Sequence, residues 1–351
     1  MKKKYFTISF LLLGSTFFYH SFKASACTRI IYNGPSGYTI TARALDWKND
    51  VDATLWYFPK GLDRNGMVGK NSLKWKSKYG SISTTILEEA TIDGLNEKGL
   101  SANLLFFAQP DYPVFSGKGK SKGLTITAWA QYVLDNFATV KEAVTELKKE
   151  NLIVVEPTAP NGGKYTTMHL SISDKQGDSA IFEYVNRKLI IHHAKTNTVV
   201  TNQPSYKEQL ALMNYWNGIP AASNLPGTSR PADRFVRATN YLKLIPNTTD
   251  ERVAVASVFS VIRNCSNPYG VTYSDDLTIT PTRLRTVADH YNMKYYFESA
   301  LGLNTFWIDL KKIDFTKDKH PMKLNVYDFK NLSGEVNLEM EEAKPFSFLG
   351  V

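Results

Sequence analysis

The chain reads as a single layered domain of the α+β class, in which strand-rich stretches give way to helices and then to strands again. Three observations carry that reading. Runs rich in β-branched and aromatic residues at 28–32 and 38–42 flank the turn-forming Asn33-Gly34-Pro35-Ser36-Gly37, the pattern of a hairpin. Further strand-like runs at 81–87, 100–107, 166–173, 179–185, 188–193 and 198–201 come in clusters. Helical periodicity falls in separate blocks, 124–151, 207–216 and 234–244, rather than alternating with single strands. Aromatic-rich strands are expected again within 279–310, and a final strand with an extension from Lys311 onward. No repeat, low-complexity run or linker divides the chain, so residues 27–351 are expected to form one domain.

The first 26 residues read as a cleaved signal. Lys2, Lys3 and Lys4 precede a largely apolar run from Tyr5 to Tyr19, and Ala24-Ser25-Ala26 has the small-x-small form of a leader-peptidase site. The apolar run is interrupted by Thr7, Ser9, Gly14, Ser15 and Thr16, whereas a membrane span needs about 20 apolar residues. No second candidate span follows. The expected product is therefore exported, to the periplasm or beyond, without integral membrane association. Removing residues 1–26 takes four lysines and lowers the formal net charge from +9 to +5. The remaining excess is spread along the chain and forms no basic stripe, so nucleic acid is not an expected partner.

Within the mature part, a hairpin centred on Pro35 would place Cys27 opposite Arg43, with Asp46 just beyond. A slip of one residue would exchange the faces of the strand. The segment Asp93-Gly94-Leu95-Asn96-Glu97-Lys98-Gly99, rich in Gly, Asn and Asp, is read as a turn between two buried strands. Thr139 and Glu142 have capping-box spacing, and Val140, Ala143, Val144 and Leu147 make one apolar helix face.

Cleavage after Ala26 would make Cys27 the first residue, with a thiol and a free α-amine together. Such a residue supplies its own base, because an α-amine titrates near pH 8 and needs only a modest shift to work at neutrality. A cation such as Arg43 favours thiolate over thiol, and Asp46 could orient the ammonium. Other readings of Cys27 stay open. It could be acylated, making a lipid-anchored surface binding protein, although Ala24 and Lys23 make poor flanks for that route. It could pair with Cys265, the second of the two cysteines, in a disulfide. A Cys/His peptidase is formally possible, but His169, His290 and His320 are isolated, and His192 and His193 point to opposite faces of one strand. No HExxH or paired-cysteine spacing occurs, so no metal site and no cofactor is expected.

Several separated segments resemble one known family in the same order. These are Cys27-Thr28-Arg29, Arg43-Ala44-Leu45-Asp46-Trp47, the 93–100 segment, Thr201-Asn202-Gln203-Pro204, Leu225-Pro226-Gly227-Thr228, Asp233-Arg234-Phe235-Val236-Arg237 and Asn267-Pro268-Tyr269-Gly270. They resemble the choloylglycine hydrolase family, which includes penicillin V acylases and bile salt hydrolases, and look most like its exported Gram-negative branch. The resemblance implies a four-layer αββα sandwich of the Ntn-hydrolase type that hydrolyses linear, non-peptide C–N amide bonds. It implies Cys27 as nucleophile, Arg43 and Asp46 as its tuning and orienting groups, and Asn202 as an oxyanion donor. It also implies Arg234, with Arg237 one turn on as the less favoured alternative, as support for the nucleophile. A second oxyanion contact would be a backbone N–H at Leu105 or Phe106. Trp47 and Phe106 would wall an apolar acyl pocket, against the plainer reading of core packing. The implied substrate joins an apolar acyl group to a small polar amine, and a homo-tetramer is the implied assembly.

Overall fold

The computed structural model describes residues 25–108, 110–157, 167–273, 279–316, 319–328 and 332–351. Most of the predicted leader, residues 1–24, and Thr166 at the head of a predicted strand lie outside the described residues.

Two sheets face each other. The first has seven strands, with β1 (Ser25–Asn33) and β2 (Thr39–Trp47) beside Val199–Val200 on one flank and Thr282–Asp289, Lys294–Ser299, Thr305–Asp309 and Gly334–Glu335 on the other. The second has nine, in the order Lys188–His193, Ser179–Val185, Met168–Asp174, Leu100–Phe106, Ala90–Asn96, Ser81–Ile86, Ala53–Phe58, Met322–Asn325 and Glu341–Glu342. Among the described residues there are six α-helices, in chain order α1 (Trp129–Asn136), α2 (Val140–Leu147), α3 (Tyr206–Trp216), the single turn α4 (Ala221–Asn224), α5 (Pro231–Leu242) and α6 (Glu251–Asn264). Helices α1 and α2 pack on the outer face of the nine-stranded sheet, and α5 and α6 on that of the seven-stranded sheet, with α3 against α5. The order helix, sheet, sheet, helix is the four-layer sandwich that the resemblance implies.

Local signals explain why the helices sit where they do. Glu142 N–H donates to the N-cap Thr139 Oγ1 at 3.2 Å, the half of the capping box that forms, while the Glu142 carboxylate accepts from Ala138 N–H at 2.8 Å, one residue before the cap. The face Val140, Ala143, Val144, Leu147 is buried, as its periodicity predicts. The predicted block 124–151 is not one helix, however. It opens on the end of a strand, Lys122–Thr125, and a 3-10 turn, Ile126–Ala128, and its helical part is broken at 137–139, where the Asn96 side-chain amide donates to the carbonyls of Leu134 and Phe137 at 2.9 and 2.8 Å. Helix α6 lies in no predicted block.

Two other expectations are corrected. The hairpin closes around Ser36, with Gly34 N–H on Tyr38 O at 2.7 Å, so Cys27 pairs with Leu45 and Arg29 with Arg43. The shift is even, so Cys27 and Arg43 still share a face and meet diagonally. The segment read as a turn is mostly a strand: Ala90–Asn96 is buried along its length, and only residues 97–99 turn. Its turn-like residues are retained because partners from the facing sheet and α1 satisfy them. Asp93 takes hydrogen bonds from Thr286 Oγ1 at 2.7 Å and Tyr295 Oη at 3.0 Å.

Candidate active site

The start of β1 and the end of β2 lie side by side, and the candidate residues gather there. Cys27 points between the sheets. Its Sγ is 3.6 Å from Arg43 Nη2, which also donates to Leu104 O at 2.9 Å, while Nη1 donates to Ile92 O at 3.3 Å. Asp93 Oδ2 stands 3.7 Å from the same guanidinium. Burial works against the charge of Arg43, yet the Cys27 sulfur and the Asp93 carboxylate hold its pKa above the ordinary value. Asp93 is pushed up by burial, against the pull of Arg43 and its hydroxyl donors.

Alternation places Asp46 on the opposite face of β2, toward the helices. It accepts from Thr282 Oγ1 and from Asn267 Nδ2 at 3.3 Å, and lies 3.9 Å from Arg234 Nη1. Burial raises its pKa to about 6, with Arg234 and Thr282 opposing that rise. Arg234, on α5, donates to Cys27 O at 2.7 Å, to Thr28 Oγ1, and through Nη2 to Asn202 Oδ1 at 2.8 Å. Arg237 instead binds Pro226 O and Thr228 O, both at 2.7 Å, and so holds the preceding loop rather than the nucleophile strand.

Asn202 closes the constellation. Its Oδ1 accepts from Cys27 N–H at 2.7 Å and its Nδ2 donates to Phe106 O at 2.7 Å. In this chain that nitrogen is a peptide amide, because Ala26 precedes it; in a chain beginning at Cys27 it would be the α-amine. The Gln203–Pro204 bond is cis. Beneath this turn, Glu183 accepts from Tyr206 N–H, with His169 Nδ1 3.0 Å and His192 Nε2 3.4 Å from its carboxylate. Burial alone would raise Glu183, but the two histidines and the Tyr206 amide hold its carboxyl down at about 2.

Leu105 and Phe106 pair with His169 and Met168, and both are buried. Trp47, half-buried, pairs with Ser25 and lines a cavity of about 240 Å³ together with Val51, Ile86, Met168 and Leu349. Cys27 and Cys265 are both free and buried, so the alternative disulfide is absent, and burial raises the Cys265 thiol to about 11. Sequence reasoning assigned no role to Thr282, Asn267, Thr286, Tyr295 or Glu183. Asn267 stood inside a quoted motif, which was the only signal available; the others are set by sheet pairing far along the chain. Among the described residues no group of three or more metal-ligating side chains occurs, and no helix is long and apolar enough to cross a membrane.

A four-layer sandwich with a dense polar constellation at one end of its inner strands is of the Ntn-hydrolase type. The chain belongs to the linear amide C–N hydrolases of the choloylglycine hydrolase family, which it matches over residues 27–323. It hydrolyses linear C–N amide bonds. It is 44% identical to a penicillin V acylase of Pectobacterium atrosepticum over 93% of both chains. A bile salt hydrolase/transferase of Clostridium perfringens is 24% identical over 70% of this chain and 80% of that one. The structure superimposes on a penicillin V acylase from Agrobacterium tumefaciens with a TM-score of 0.86, at 49% identity, covering 93% of this chain and all of that one.

Proposed function

We propose that the chain is exported, that its leader is removed after Ala26, and that Cys27 is then the nucleophile. The single observation that carries this is the placement of one residue. Cys27 Sγ faces Arg43 and Cys27 N faces Asn202 Oδ1 at 2.7 Å, and the family match begins at this position. In this reading the freed α-amine takes the thiol proton and the thiolate attacks the amide carbonyl. The resulting oxyanion is met by an N–H of Asn202, whose Nδ2 carries two hydrogens and gives one to Phe106 O. The ammonium returns its proton to the leaving amine, giving a thioester. Water adds to the thioester, releases the acid and restores the thiol. Arg234 anchors the Cys27 carbonyl and Asn202 together, and Asp46 stands behind Arg234 as its counter-charge.

The cavity beside Trp47 supports a choice of acyl group. Dry protein cavities of about 150 Å³ already hold benzene. The cavity of about 240 Å³ therefore suits a single aryl ring with a short link, or a medium alkyl chain, better than four fused rings. We accordingly favour phenoxyacetyl or medium-chain acyl amides, as in penicillin V or N-acyl-homoserine lactones, over conjugated bile salts. The family also carries a homo-tetramer to this chain, which light scattering of the purified protein tests.

Mass spectrometry of the secreted protein and turnover by Cys27→Ser test the mechanism. A chain beginning at Cys27 and a variant reduced by at least a thousandfold are expected. An intact leader or an undiminished variant would overturn it. Parallel turnover of the three substrate types tests the acyl choice, and a clear preference for bile salts would reverse it.

A further inference from the structure

The cavity has a wall that the family match does not reach. Leu349 belongs to the C-terminal tail, whereas the match ends at residue 323. The cavity lies at the nucleophile end of the sandwich. Trp47 follows Asp46 on β2, and Met168 pairs with Phe106, whose carbonyl takes the Asn202 amide. The remaining apolar lining comes from Val51, Ile86, Leu87 and Ala90. Among the described residues no lysine or arginine lines it, and Asp50 and Glu89 do, so a neutral acyl group fits and a carboxylate-tipped one does not.

The tail is clamped on both sides of Leu349. Leu349 N–H donates to Glu89 O at 2.9 Å, and its carbonyl accepts from Thr125 Oγ1 and Thr127 Oγ1, each at 2.8 Å. Val351 N–H donates to Met67 O at 2.9 Å. Gly350 lies so close to Met67 that an added Cβ would come within 2.5 Å of its carbonyl oxygen. On the other side Phe348 is buried, and Phe346 packs 5.5 Å from Trp56 and 6.1 Å from Phe58. A side chain fixed by its own backbone in this way makes a firm wall rather than a mobile cover.

We infer that the C-terminal tail forms one wall of the acyl pocket and that the Leu349 side chain sets the length of neutral acyl group the enzyme accepts. This rests on the reading of that cavity as the acyl pocket. The test is steady-state hydrolysis, by the processed enzyme, of amides that share one amine and carry hexanoyl, octanoyl, decanoyl or phenoxyacetyl groups. Each methylene that finds a buried place contributes about fourfold. Leu349→Ala is therefore expected to raise the decanoyl-to-hexanoyl ratio of kcat/KM about tenfold, mainly through KM. Leu349→Phe is expected to lower it by a similar factor. Phe348→Leu, which loosens the tail without changing the lining, is expected to lower the melting temperature and leave the ratio unchanged.

Unchanged ratios in both Leu349 variants would overturn the inference. So would a ratio that moved equally in Phe348→Leu, because tail docking rather than the Leu349 side chain would then govern selectivity. If Leu349→Ala does not fold, Leu349→Phe and Leu349→Met still decide the point through the direction of their ratios. Failure of the unaltered enzyme to hydrolyse any of the series would instead overturn the proposed acyl specificity, an outcome visible before any variant is made.

Discussion

Arg43 holds four neighbours in place with one planar cation. Its two terminal nitrogens reach the Cys27 sulfur, the Leu104 and Ile92 carbonyls and the Asp93 carboxylate, all out of contact with water. A lysine carries the same charge but presents it as a point, and it cannot serve both sheets at once. Arg43→Lys is therefore expected to lose one or two charge-assisted hydrogen bonds, a fall in kcat/KM of about tenfold to a hundredfold. Steady-state kinetics beside a thermal melt checks this; undiminished kcat/KM in a folded variant would contradict it. Much of this was legible in the residues themselves. Cys27, Arg43 and Asp46 stand close in sequence, so one hairpin brings their strands together; its even register then puts Cys27 and Arg43 on one face and Asp46 on the other. Asp93 was legible only as a turn residue, because its partners Thr286 and Tyr295 lie 193 and 202 positions away.

The strand Ala90–Asn96 shows why composition misleads at the scale of an element. Asp, Gly and Asn are poor strand formers in isolation, yet here each has a specific partner or a specific lack of space. Asn96 Oδ1 accepts from Lys98 N–H and Leu100 N–H, both at 3.0 Å, which ends the strand and starts the next. Gly94 leaves room for α1: a Cβ there would stand 2.7 Å from both Ile82 O and Leu134 Cδ1. Gly94→Ala must push the helix from the sheet or bend the strand, and is expected to cost about 1–3 kcal/mol. Urea denaturation measures the loss, and a variant as stable as the parent would show that α1 is not packed against this strand as described. Elements whose own residues decide them were legible, as with Ser179–Val185, Lys188–His193 and the capped α2. Hairpin register and the split of 124–151 were not, since a loop geometry and a distant amide decide those.

Across the whole molecule, the space between the sheets is threaded by polar side chains instead of being uniformly apolar. Arg29 Nη2 donates to Ser173 Oγ at 2.7 Å; Ser173 and Thr41 hydroxyls are 2.6 Å apart; Thr41 Oγ1 is 2.8 Å from His290 Nε2. His290 Nδ1 is 2.9 Å from Gly99 O, which can only accept, so Nδ1 carries the ring proton and Nε2 receives the Thr41 hydroxyl. The chain of donors runs one way, from the buried guanidinium to a backbone carbonyl, and a second ring proton has no acceptor in that order. Burial lowers the pKa of His290 to about 4, with Arg29 pushing the same way and the Gly99 carbonyl opposing. In the unfolded chain the ring titrates near 6.5. Between pH 6.5 and 4 the unfolded state therefore binds a proton that the folded state does not. Stability from this residue is complete above that window and is lost as pH falls through it, on the order of 1–3 kcal/mol. His290→Gln can keep both hydrogen bonds, donating to Gly99 O and accepting from Thr41, without titrating. Urea unfolding at pH 7, 5.5 and 4.5 is expected to show the parent losing stability more steeply than the variant. Parallel losses in the two proteins would mean that the ring is not held neutral between the sheets.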